Sequence, residues 1–160
     1  MGVSLQARRD IDGAAAMILQ TLVSADRETL TVGTHQLALE PPDIALVRFT
    51  GDLSDADVAR ILDAFERFAI ATGRAFLLLD VASVGHVTPE ARRVAAMRQL
   101  PPAYAGLVVF GGTFQQQLVA KLVTTGGWFL RGRALGKPMP VCVKDERAAR
   151  AWLLEQRGAF

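Results

Sequence analysis

Cysteine is nearly absent: the 160 residues contain one, Cys142. A single thiol excludes an internal disulfide, and with Val141 and Val143 beside it Cys142 reads as a reduced, buried strand residue of a cytoplasmic protein. Histidine is almost as scarce, with only His35 and His86. One cysteine and two distant histidines give no metal-ligand spacing, so neither a metal nor another cofactor is expected. Long apolar runs are missing as well, since no stretch reaches the roughly 18 residues that a membrane-crossing helix needs. Net charge is also small. Lys and Arg number 18 against 16 Asp and Glu, so a pI near 9.1 reflects near balance, and nothing global points to nucleic acid. There are no repeats, charge blocks or low-complexity segments.

What is present is an apolar share of 51%, ample for one continuous core in a chain of this length. The first residues need a separate reading. Ala14 to Val23 is apolar, follows Arg8 and Arg9, and precedes Val23-Ser24-Ala25, the outline of a cleavable leader. Asp10 and Asp12 sit where a leader is basic, and Gln20 and Thr21 interrupt the run. Residues 1–27 therefore read as an extension, helical over Asp10 to Val23, and residues 28–160 as one domain.

Strand-like alternation starts near Leu30, breaks at Pro41-Pro42-Asp43 and resumes over Ile44 to Phe49, which predicts a hairpin. Ser54 caps a helix in which Asp57 completes a weak capping box. Val58, Ile61, Leu62, Phe65, Phe68 and Ala69 then recur at helical spacing up to Gly73. Ala75 to Val81 is a covered strand. Thr88 and Pro89 open a second helix toward Leu100, which Pro101-Pro102 ends. Leu107 to Phe110 is a strand, Gly111-Gly112 a turn, and Thr113 the cap of a helix carrying Leu118, Val119, Leu122 and Val123 that Gly126-Gly127 breaks. A further helical piece is expected over Trp128 to Leu135. Val141 to Val143 is the last strand, and Asp145 caps a final helix with Ala148 and Trp152, and Ala149 and Leu153, four apart. After the hairpin the order is α-β-α-β-α-β-α, and right-handed crossovers make those strands parallel.

At this point the residues carry a resemblance. Ile44-Ala-Leu-Val-Arg-Phe-Thr-Gly-Asp-Leu-Ser, the helix to Gly73, and Phe76-Leu-Leu-Leu-Asp-Val-Ala-Ser-Val-Gly-His-Val-Thr resemble the core of STAS domains, the modules of sulfate transporters and anti-sigma factor antagonists. The ending Val141-Cys-Val-Lys-Asp-Glu-Arg-Ala-Ala-Arg-Ala-Trp-Leu is similar to the SpoIIAA-like branch. The resemblance covers about Leu37 to Leu154. It implies a single-domain α/β fold: a mixed sheet with an antiparallel N-terminal hairpin and βα units, helices mainly on one face. It also implies a non-enzymatic module of bacterial signalling.

One departure matters. Anti-sigma factor antagonists carry Asp-Ser-Ser-Gly at a helix start, where a partner kinase phosphorylates a serine. Here the stretch is Thr88-Pro89-Glu90-Ala91, and Glu90 falls at the phosphorylated position. Its permanent charge is smaller than a phosphate's, and the plainer reading is a first-turn carboxylate favoured by the helix dipole. The resemblance leaves two functional expectations. The first is a protein-interaction module that presents a loop over Ser83 to Val87 and the helix from Thr88, with Ser83, His86, Thr88, Glu90, Arg92 and Arg93 facing a partner such as an anti-sigma-type kinase. The second is a carrier or sensor of an apolar ligand or lipid, in which the helices Ala56 to Ala71 and Phe114 to Val123 part around a cavity.

Chemistry beyond binding finds little support. Asp80, Ser83 and His86 are close in sequence, but there is no Gly-x-Ser-x-Gly elbow and neither histidine has an evident partner. The acidic residues read mostly as helix caps and solvated faces. Gly111-Gly112-Thr113 opens a helix yet lacks a P-loop ending, so a tight turn is the reading. Trp128, Phe129, Arg131, Arg133 and Lys137 mix aromatics with cations. The preferred reading places the aromatics in the core and the cations in water, the alternative being contact with an anion or, peripherally, with a membrane. Arg92, Arg93 and Arg98 read as a wet helix face. Self-association stays open.

Overall fold

The computed structural model describes residues 27–128, 133 and 135–158. The helix expected over Asp10 to Val23 lies outside them, as do Phe129 and Arg131. The described chain runs β1 (Glu28–Val32), β2 (His35–Glu40), β3 (Ile44–Leu53), α1 (Asp55–Thr72), β4 (Ala75–Val87), α2 (Pro89–Met97), β5 (Tyr104–Phe110), α3 (Phe114–Gly127), β6 (Val141–Val143) and α4 (Glu146–Gly158).

Six strands form one sheet in chain order, β1 to β6. The first two junctions are antiparallel, β1–β2 turning at Gly33-Thr34 and β2–β3 at the expected Pro41-Pro42-Asp43 break, and the remaining three are parallel. This is the mixed α/β sheet expected from the sequence. Alternation along the strands splits the core. Leu37, Val47, Leu77 and Val109 bury against α1, α2 and α3, whereas Leu46, Phe76, Leu78 and Val108 bury against Ala149 and Leu153 of α4. Three helices on one face and one on the other follow from that alternation.

α1 begins as the sequence dictates. The amide of Asp57 donates to Ser54 Oγ at 3.2 Å, the amide of Ser54 donates to Asp57 Oδ2 at 3.5 Å, and the helix stops where Gly73 takes a left-handed φ of 80°. Its apolar stripe is core, with Phe65 only 2% exposed and only Leu62 half-buried.

Several expectations are corrected. Ser83 to Val87 is not a loop: β4 continues to Val87 because Ser83, Val84 and Val87 pair with Thr50, Gly51 and Leu53 across two register shifts. The second helix stops at Met97, with Arg98 already extended. β5 starts earlier than expected, at Tyr104, and every residue to Phe110 is buried. α3 ends at Gly127, with Gly126 and Gly127 forming part of its last turn. At Gly127 a side chain is unwelcome, since a Cβ would come within 3.3 Å of the Ala96 carbonyl oxygen. Cys142 is half-buried, and burial raises its thiol pKa.

The acidic residues that are neither caps nor solvated gather on the α4 side of the sheet. Asp43 is 2% exposed and is held by Arg74 at 3.1 Å and by Arg157 of α4. On the same sheet face Arg48 joins Asp80 at 2.7 Å and Glu146 at 2.8 Å, while Arg150 joins Glu40 at 2.9 Å and Glu146 at 3.1 Å. These pairs tie α4 to β2, β3 and β4.

Candidate functional site

α2 and α3 leave the sheet beneath them incompletely covered. α2 has nine residues and buries only Ala91, while no residue of α3 falls in the fully buried class. Two helices with so few anchoring side chains cannot fill the space over β3 and β4. Two adjoining cavities remain, with volumes of about 320 Å³ and about 130 Å³. Phe49, Leu53, Val58, Ala95, Val123 and Thr124 wall both, which makes them one cleft with an outer and an inner end.

The outer end opens between β4, α2 and α3, beside His86, Arg92 and Gln115, all exposed. The inner end is closed by Phe65, Leu77, Tyr104, Leu107, Trp128 and Pro140. Thr124 adds no free donor, since its hydroxyl donates to the Ala120 carbonyl at 2.8 Å within α3. Tyr104 is 2% exposed, and its hydroxyl has no hydrogen-bond partner among the described residues. Burial raises its pKa, so it stays a neutral donor at physiological pH.

Glutamines fix the front of α3. Gln116 accepts from the Thr113 amide at 2.7 Å and donates to the Val84 carbonyl at 3.1 Å, while Gln117 donates to Gly111 at 2.9 Å and Val143 at 3.1 Å. α3 is thus tied to the sheet by side-chain amides at its start and by close backbone approach to α2 at its end. The Gly111-Gly112 turn is internal in the same way: the Gly111 amide donates to Lys144 and the Thr113 amide to Gln116, so neither is open to an anion.

The residues expected to face a partner fall into two groups. His86 and Arg92 flank the mouth of the cleft, and Arg92 makes no ion pair with the described residues. Ser83, Glu90 and Arg93 are exposed nearby in sequence, whereas Thr88 is committed as a cap and accepts from the Ala91 amide at 3.0 Å. Asp80, Ser83 and His86 do not assemble. Both Asp80 oxygens are taken, by Arg48 and by the Ala82 amide at 3.0 Å, and the His86 amide donates to Asp52 at 2.8 Å.

His35 has the partners that its sequence context does not announce. It is fully buried, with Nδ1 accepting from the Thr50 amide at 3.0 Å and Nε2 lying 3.1 Å from the Asp52 carbonyl oxygen, an arrangement that pins β2 to the end of β3. Arg98 is not a wet face. It bridges α2 to Asp63 and Glu66 of α1 beside the inner end of the cleft, and those hydrogen bonds raise its pKa against the opposing effect of burial. Trp128 donates to the Lys137 carbonyl at 2.8 Å and Lys137 donates to Pro102 at 2.8 Å, so Trp128 is structural and Lys137 is engaged with the fold. Arg133 is exposed. Among the described residues no group of three His, Cys, Asp or Glu could hold a metal, and no helix is long and apolar enough to cross a membrane.

No protein-family model matches the chain, and no curated protein does. A solved structure is similar to it: the crystal structure of an uncharacterized DUF3478-family protein with a SpoIIAA-like fold, from Shewanella loihica PV-4. The two are 15% identical, the match covers 79% of this chain and 91% of that one, and the TM-score is 0.47. That protein is uncharacterized, and no activity carries over from it.

Whole-chain charge conceals one feature of the site. From Ala91 to Lys144 there are eight Lys and Arg and no Asp or Glu. This segment supplies most of α2 and all of α3. A charge count taken in windows along the chain finds it, whereas the overall balance cancels it against the acidic remainder.

Proposed function

We propose that the protein is a non-catalytic ligand-binding module, a carrier or sensor that holds an apolar molecule with a polar head in the cleft under α2 and α3. One observation supports this reading above the others: a cleft of about 320 Å³, continued by a further cavity of about 130 Å³, walled mainly by apolar residues such as Phe49, Leu53, Val58 and Val123, with Gln116 and Thr124 in its lining bonded within the fold. Small-molecule sites start near about 300 Å³ and combine an apolar body with a few placed polar groups. Here those groups sit at the two ends, Arg92 and His86 at the mouth and Tyr104 deep inside. The Arg92 guanidinium at the mouth, which makes no ion pair with the described residues, suits a carboxylate or phosphate head.

The test is titration with an environment-sensitive fluorescent fatty acid. Wild type should bind saturably. Val123→Trp and Ala95→Phe, which fill the cleft from both helices, should weaken binding about tenfold or more while the protein stays folded. Arg92→Ala should weaken the acid more than its methyl ester. Absence of saturable binding by folded wild type argues against the reading.

A protein-interaction role has one observation in its favour. Ser83, His86, Glu90, Arg92 and Arg93 are all exposed at or near the start of α2. Glu90 cannot carry a stable phosphoryl ester, so such a partner would be bound constitutively or through ligand occupancy. Glu90→Gln would then lower affinity for the partner and leave fatty-acid titration unchanged.

A further inference from the structure

α3 is apolar on two sides. Val119, Ala120 and Val123 face the cleft, while on the outer side Phe114, Leu118 and Leu122, four residues apart, are 81%, 43% and 66% exposed. An apolar stripe of this kind on a surface helix marks contact with something beyond the described residues. Its surroundings select the occupant. Lys121 lies within the stripe, Arg92 and Arg93 are exposed on α2, and Arg133 is exposed beyond the end of α3. No acidic residue occurs from Ala91 to Lys144 to offset them, and none of these four cations forms an ion pair with the described residues.

We propose that the outer face of α3 docks on an anionic lipid bilayer, with Phe114, Leu118 and Leu122 entering the interface and Lys121 and Arg133 meeting the lipid headgroups. Single-sign charge around an exposed apolar helical stripe is the pattern of interfacial helices, in which apolar burial and electrostatic attraction add. The segment from Ala91 to Lys144, which includes all of α3, carries cations and no Asp or Glu of its own, and that charge favours an anionic surface over a neutral one. α3 is also one wall of the cleft, which sets the proposed ligand site against the membrane. The docking face does not depend on the cleft being occupied.

Co-sedimentation with vesicles tests the proposal, using phosphatidylcholine alone and phosphatidylcholine mixed with phosphatidylglycerol. Full-length wild type should bind the anionic vesicles at low salt and bind less as salt rises. Lys121→Glu with Arg133→Glu should reduce the partition coefficient about tenfold or more. Phe114→Ser with Leu122→Ser should reduce it at all salt concentrations. These positions are exposed, and circular dichroism should find the variants folded. No binding to anionic vesicles, or binding equal in wild type and both double variants, overturns the proposal. So does a dimer in sedimentation equilibrium that Leu122→Ser dissociates without any vesicle binding, which would assign the face to a second copy. Fatty-acid titration of Lys121→Glu with Arg133→Glu keeps the cleft separate: it should match wild type even where vesicle binding is lost.

Discussion

Gly127 near the end of α3 lies against the backbone of α2 at Ala96, so close that a Cβ there would stand 3.3 Å from the Ala96 carbonyl oxygen and 3.6 Å from its Cα. The neighbouring Gly126 has nothing within 4 Å of the same position. Both are helical, so replacement by Ala should gain up to about 1 kcal/mol of helix propensity, and only Gly126 can keep the gain. Urea denaturation should find Gly126→Ala stabilised by about 0.5–1 kcal/mol and Gly127→Ala unchanged or destabilised. Equal gains for the two would mean that α2 and α3 are not in close contact there.

Phe65 and Tyr104 meet edge to face, with ring centroids 6.3 Å apart, at the inner end of the cleft. Phe65→Ala should cost about 3–5 kcal/mol, because it removes a core ring and enlarges a space already open. Tyr104→Phe should behave differently. Its hydroxyl has no hydrogen-bond partner among the described residues, so removing it breaks no bond within them and should be neutral or stabilising. A loss above about 1 kcal/mol in Tyr104→Phe would show that the hydroxyl is satisfied in solution.

Glu146 ties α4 to the sheet, and the pH dependence of stability should report it. Its carboxyl pKa is lowered, first by the hydrogen bond from Arg48, then with burial opposing and Arg150 assisting. A carboxylate whose folded pKa lies below its unfolded value contributes stability above the unfolded pKa, near 4.5, and loses it as pH falls through the folded value. Glu146→Gln should therefore be less stable than wild type at pH 7, and the difference should shrink below pH 4.5. A difference that stays constant from pH 7 down to pH 3 would show that Glu146 acts through packing and not through charge.

Much of the fold is legible in local chemistry. Ser54, Asp57 and Gly73 fix both ends of α1, and Thr88 and Thr113 cap their helices through amides three residues on. The strand extension to Val87 is not legible, because Ser83, Gly85 and His86 lack strand propensity, and the stretch is held by the pairing of Ser83, Val84 and Val87 with β3 across register shifts and by the His86 amide donating to Asp52. The close approach of Gly127 to Ala96 is hidden for a similar reason, since it joins residues of two different helices. Ion pairs between distant residues, such as Arg48 with Glu146 or Asp43 with Arg157, depend on which faces the helices cover. The cleft is legible only as the expectation that apolar helices part. Its position follows from how little α2 and α3 bury, which no periodicity announces.

Native mass spectrometry of the full chain, purified from cells without denaturant or detergent, tests the central claim most directly. The account predicts a population carrying a small apolar adduct that is released on denaturation and much reduced in Val123→Trp. A wild-type protein found only at its apo mass, and showing no uptake when incubated with fatty acids, would contradict it.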